Sequence, residues 1–77
     1  MPCRVGITTD PATRKAAWQS QVVGFANWRI LGTFRNREEA QQCETNYAAR
    51  YGCHAHPRGA EARGPWYVYR FDYARRG

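Results

Sequence analysis

Apolar and polar residues alternate along this chain with two periods, near two and near 3.6, and the switches between them mark its elements. Cys3, Val5 and Ile7 alternate with Arg4, Gly6 and Thr8, and segment 3–9 is rich in β-branched residues. That pattern predicts a short strand with Cys3, Val5 and Ile7 on one face. Asp10-Pro11 breaks the alternation: Asp10 can cap free amides, and proline suits the first helical turn. A helix is expected to about Val23, with Ala12, Ala16, Gln19 and Val23 tracing one side and Gly24 closing it. Asn27 signals a turn, and Trp28 to Phe34 reads as a second strand with Gly32 at a bulge. Asn36, with Glu39 three residues on, is a helix-start pattern. This second helix runs from Arg37 to Arg50 or Tyr51 on a stripe of Ala40, Cys43, Tyr47 and Tyr51, and Gly52 ends it. Residues 53–65 hold Pro57, Gly59, Gly64 and Pro65 and no large apolar side chain, which predicts a long loop. Trp66 to Tyr73 is the clearest strand. Tyr67, Tyr69, Phe71 and Tyr73 fall on one face, and Trp66, Val68, Arg70 and Asp72 on the other. Ala74 to Gly77 reads as a frayed basic tail.

The order β-α-β-α-β implies an α+β fold: a three-stranded antiparallel sheet flanked by two helices, as a single domain over 1–77. A core of 77 residues is small. Its aromatic content of 14% compensates, because each such ring buries a large area. The net charge of +6 and pI near 9.8 come almost wholly from arginine, with Lys15 the single lysine. Arginine grips phosphate with a planar fork and stacks on bases, so the bias points to nucleic acid. A merely soluble basic surface, or arginine-rich codon usage, is the plainer alternative. Cys3, Cys43 and Cys53 are odd in number and not closely spaced, which argues against a disulfide framework and fits a reducing cytoplasm. No apolar run approaches membrane-spanning length, and the start leads straight into a strand-like segment without a signal-peptide pattern. The oligomeric state is open, since a partner chain could complete so small a core.

The segment from Val5 to Arg14 (Val-Gly-Ile-Thr-Thr-Asp-Pro-Ala-Thr-Arg) resembles the second motif of the GIY-YIG nuclease family. In that family an arginine follows the motif glycine by eight residues; Gly6 and Arg14 have this spacing. Trp28 to Phe34 looks like the family's third strand. Glu39-Ala40-Gln41-Gln42-Cys43-Glu44 looks like the helix that supplies its metal-binding glutamate, with Glu44 in that place. No first strand precedes the motif, but Tyr67-Val68-Tyr69 looks like that strand, in place of Gly-Ile-Tyr. The chain therefore resembles a circular permutant, in which strand 66–73 pairs antiparallel with strand 3–9. Two positions depart from the family: Arg4 stands where the second motif has tyrosine, and Trp18 where histidine is common.

The resemblance implies a Mg²⁺-dependent endonuclease with Tyr69, Arg14, Glu44 and Tyr67 as catalytic residues. Mg²⁺ is held by few carboxylates and keeps several waters, so Glu44 alone is a chemically acceptable anchor. Arg14 would stabilise charge on the phosphate oxygens, and Tyr69 would orient or deprotonate water. Arg4, Lys15, Trp18 and Arg70 would contact nucleic acid. Each residue also has a structural reading: Glu44 as a solvated helix residue, Arg14 as a surface residue, Tyr69 as core. Loss of tyrosine at Arg4 and of histidine at Trp18 favours a second function, a non-catalytic DNA- or RNA-binding module on the same scaffold. A third comes from Gly32 to Ala40, which is similar to the strand-to-helix turn of SPOR peptidoglycan-binding domains. Cys53, His54 and His56 with Cys43 have zinc-ligand chemistry. However, Cys43 falls on the helix's apolar stripe and there is no Cys-x-x-Cys pair.

Overall fold

A computed structural model of the chain describes residues 2–55 and 64–76. Strand β1 (Cys3–Thr8) leads into helix α1 (Pro11–Gln21), then β2 (Val22–Val23), β3 (Ala26–Phe34), helix α2 (Arg37–Tyr51), β4 (His54–Ala55), β5 (Trp66–Asp72) and β6 (Arg75–Arg76). The α+β class is observed, but the sheet is larger than the expected three antiparallel strands. Four strands lie in the order β3-β5-β1-β4, and β2 pairs with β6 in a separate two-stranded sheet. β5 pairs antiparallel with β1 from Cys3↔Asp72 to Thr8↔Tyr67, and with β3 on its other side. The fourth strand comes from the segment expected as loop: β4 adds parallel to β1 through Arg4↔His54 and Val5↔Ala55. His56, Pro57 and Gly59 lie outside the described residues.

β5 is central because both of its faces are buried. Trp66 and Val68 join Val5, Ala40 and Cys53 in one core, beneath α2. Tyr69, Phe71 and Tyr73 join Trp18 and Val22 in a second core on the opposite face, beside α1. Phe25 stacks on Phe71 at 5.0 Å between centroids, and Trp28 stacks on Tyr69 at 4.8 Å. Aromatic pairs of this kind add about 0.5–1.5 kcal/mol beyond the area they bury. Cys3 and Ile7 pack with Val5 against the α2-side core, as the alternation in β1 predicts.

Local signals explain most element ends. The Asn36 side chain accepts a hydrogen bond from the Glu39 amide at 2.8 Å, and Gly52 takes the left-handed conformation that stops α2. Asp10 caps α1 by accepting from the Thr13 amide, at 3.2 Å, and from its hydroxyl, at 2.8 Å. The register of β3 against β5 slips between Ile30 and Gly32, where the bulge was expected.

Four expectations are corrected. Helix α1 stops at Gln21 rather than Val23, because Val22 and Val23 leave it to pair with Arg76 and Arg75. The C-terminal arginines are therefore a paired strand, anchored further by the Ala74 amide donating to the Val23 carbonyl at 2.8 Å. On α1 the inward residue is Trp18, whereas Ala12, Ala16, Gln19 and Val23 are exposed. Finally, Cys3 and Cys53 form a disulfide, S–S 2.06 Å, leaving Cys43 as the free cysteine. Fifty residues separate the partners, so sequence spacing carries no trace of the pair.

Candidate nucleic-acid interface

The pairing of β5 with β1 puts Tyr69 directly across from Gly6. The ring lies over the glycine: a Cβ at Gly6 would collide with the Tyr69 hydroxyl and ring edge. Trp18, two turns into α1, donates its indole N–H to the Tyr69 hydroxyl at 2.9 Å. This bond ties the helix to the sheet and is itself buried. Arg4 projects from the same side of β1, with its guanidinium 4.5 Å from the centroid of a Trp18 ring. Arg14 completes the group from α1, one turn before Trp18. Arg4, Gly6, Arg14, Trp18 and Tyr69 together line a narrow pocket. Among the described residues, neither arginine pairs with a carboxylate; the ion pair present there joins Arg70 and Asp72 at 2.5 Å. Arg76, from β6, approaches the Trp18 ring at 6.0 Å and adds charge at the margin.

The environment sets the chemistry of these groups. Burial raises the Tyr69 pKa, opposed by the Trp18 bond and by the charges of Arg14 and Arg4, with Glu44 adding to the rise. Tyr69 is 4% exposed, and the side-chain hydrogen bond of its hydroxyl among the described residues is the one it accepts from Trp18. Glu44 is fully enclosed, and neither carboxylate oxygen has a hydrogen-bond partner among the described residues. Burial raises its pKa, against the weaker pull of Arg4. It lies one turn beyond Ala40, whose side chain belongs to the α2-side core.

The expected site residues therefore divide. Tyr69, Arg14, Arg4 and Trp18 meet in one pocket, whereas Glu44 does not line it. Tyr67 is half-buried beside Thr8 and Thr33 and also stays outside the lining. Lys15 is half-buried on α1 and does not line the pocket. Arg70 has the alternation parity of Trp66 and Val68, opposite Tyr69, and its guanidinium is held by Asp72 and the Asn27 carbonyl. Mg²⁺ needs oxygen ligands and room for its own waters. A sealed Glu44 does not provide that, and no group of three His, Cys, Asp or Glu gathers among the described residues.

Trp28 and Arg76 were not expected around the pocket, and Gly6 was expected only as the motif glycine, not as the residue beneath the Tyr69 ring. A glycine opposite an aromatic across two strands is a signal for close ring approach, but it becomes readable only once the register is known. Arg76 was hidden by its place in an apparent tail. No helix among the described residues is long and apolar enough to cross a membrane. Family models, curated proteins and solved structures were all compared with this chain, and none matches it.

Proposed function

We propose that this chain is a nucleic-acid-binding module that holds phosphate in the Arg4–Arg14 pocket without hydrolysing it. The observation that carries the reading is the convergence of two guanidiniums, neither in an ion pair among the described residues, on a pocket walled by Trp18 and Tyr69. Guanidinium forks match phosphate geometry, and a desolvated wall strengthens each charge-assisted bond. Arg4, where the nuclease motif has tyrosine, is a grip in place of a catalytic hydroxyl. The Cys3–Cys53 bond favours an oxidising surrounding over the reducing cytoplasm expected from cysteine spacing.

The test is binding of a labelled oligonucleotide to the wild type and to Arg14→Gln. Loss of one phosphate-facing guanidinium should weaken binding about tenfold or more, within the 1.5–3 kcal/mol range of hydrogen bonds to charged groups. Equal affinity would remove the pocket from the interface.

A second reading, the metal-dependent nuclease, draws on one observation: Tyr69, Gly6 and Arg14 share a pocket because β5 lies antiparallel to β1. It requires Glu44 to become accessible. Mg²⁺-dependent cleavage that disappears in Glu44→Ala would establish it, and absence of cleavage by the folded wild type would dismiss it. The glycan-binding reading gains nothing from the pocket, whose polar lining is cationic.

A further inference from the structure

The polar side chains that line the pocket are those of Arg4, Arg14, Trp18 and Tyr69. Arg4 and Arg14 bring two positive charges, neither in an ion pair among the described residues. Tyr69 brings a third donor. Its oxygen already accepts from Trp18, while its own hydrogen has no acceptor among the described residues. The Tyr69 side chain is more than nine-tenths buried and borders this space. Glu44 does not line this space and makes no ion pair with Arg4 among the described residues. The Tyr69 ring covers Gly6, and the space beside Arg4, Arg14 and Trp18 is about water-sized, so a phosphate would sit at its mouth with one oxygen inside.

We propose that this pocket is an end-recognition site, which takes the terminal phosphate monoester of a nucleic-acid strand in preference to an internal phosphodiester. The proposal rests on the nucleic-acid reading above and names the part of the strand that is bound. An internal phosphodiester carries one negative charge and two free oxygens. A terminal monoester carries about 1.5 to 2 negative charges near neutral pH and three free oxygens. Two guanidinium charges and three donor groups match the monoester. Arg75 and Arg76 follow on β6, and the 6.0 Å approach of Arg76 to Trp18 places further charge where the next phosphates of an entering strand would run.

The experiment is a titration of the whole chain, with its disulfide intact, against short single-stranded oligonucleotides. These carry a 5′-phosphate, a 3′-phosphate or neither, and the fluorescent label sits on the opposite end. Inorganic phosphate and ribose 5-phosphate serve as competitors. The expected result is at least about tenfold tighter binding of one phosphorylated end, or about 1.4 kcal/mol. Both competitors should erase that preference, and Arg14→Gln and Tyr69→Phe should each reduce it. Equal binding of all three oligonucleotides, unaffected by the competitors, overturns the end-recognition proposal while the nucleic-acid reading stands. Binding of the small monoesters without any oligonucleotide binding overturns the nucleic-acid reading and keeps a monoester site. Binding of neither overturns both. Tyr69→Phe retains the ring that covers Gly6, so a fold check by near-ultraviolet circular dichroism separates lost packing from a lost donor.

Discussion

At Gly6 a single missing methyl decides how two strands meet. The Tyr69 ring occupies the space a Cβ would need, and that ring is pinned by Trp28 stacking and by the Trp18 indole. Gly6→Ala should therefore cost about 1–3 kcal/mol, as overpacking of a fixed site does. For a domain of this size that is a Tm fall of about 4–8 °C per kcal/mol, readable by thermal unfolding. An unchanged Tm would mean that the ring can move aside freely. Glu44 poses the opposite problem, a buried carboxyl with no hydrogen-bond partner among the described residues. Its pKa is raised in the folded chain, so on raising the pH the unfolded chain loses this proton first. Stability should thus fall as pH rises from the ordinary carboxyl range through the folded value, and level off above it. Glu44→Gln should remove this component. Urea midpoints of the two proteins across the weakly acidic to neutral range would show it as a widening gap in favour of Glu44→Gln. Parallel curves would mean that Glu44 finds a partner or reaches water.

Among the elements, β4 is the one that depends most on a covalent link. Its two residues pair with β1, a ladder too short to hold an edge alone, and the Cys3–Cys53 bond fastens the residue just before it. Closing a segment of this length in the unfolded chain is worth about 4 kcal/mol on the loop-entropy account. Replacing both cysteines by alanine should lower the unfolding free energy by about 2–5 kcal/mol. Amides of β4 should lose exchange protection before those of β5. Identical denaturation midpoints with and without reductant would show that the link contributes nothing. Free Cys43 packs in the same core, and burial pushes its thiol pKa up, which disfavours exchange with the bond. β2 and β6 have a different dependence: each is two residues long and relies on the other, with Gly24 in a left-handed turn beside Ala74.

For the whole molecule, the charge is unevenly used. Of a net +6, Arg4, Arg14 and Arg76 gather about Trp18, whereas Arg70 is spent on Asp72 across the sheet. Binding to nucleic acid should weaken linearly in log affinity with log salt, because each phosphate contact releases a condensed counterion. Replacing Arg4 and Arg14 together by Gln should flatten that slope by about 1 to 2 units, one per lost contact. Affinity independent of salt would leave the arginine cluster without a role in binding. Each face of the sheet packs against its own helix, so this surface can be altered on the α1 side with little effect on the core beneath α2.

What the sequence by itself determined is local in origin. The Asn36 cap, the Gly52 stop, the Asp10-Pro11 start and the alternation of β1 and β5 each depend on residues within a turn or two of one another. The antiparallel partnership of segments 3–9 and 66–73 was also legible, through the motif resemblance rather than through periodicity. Tertiary structure alone decided the rest. Trp18 turned inward because Tyr69 and Phe71, some fifty residues away, offer it a bond and a ring. Helix α1 ended early because Val22 and Val23 gain a strand partner from the far end of the chain. Cys3 found Cys53 because β4 closes onto β1. Glu44 was readable as a helix residue but not as an enclosed one, since enclosure depends on what other elements place over it. Short-range hydrogen bonds and backbone preferences are written in adjacent letters. Burial, pairing and charge convergence arise only when distant segments meet, and they decide which of the candidate residues share a site.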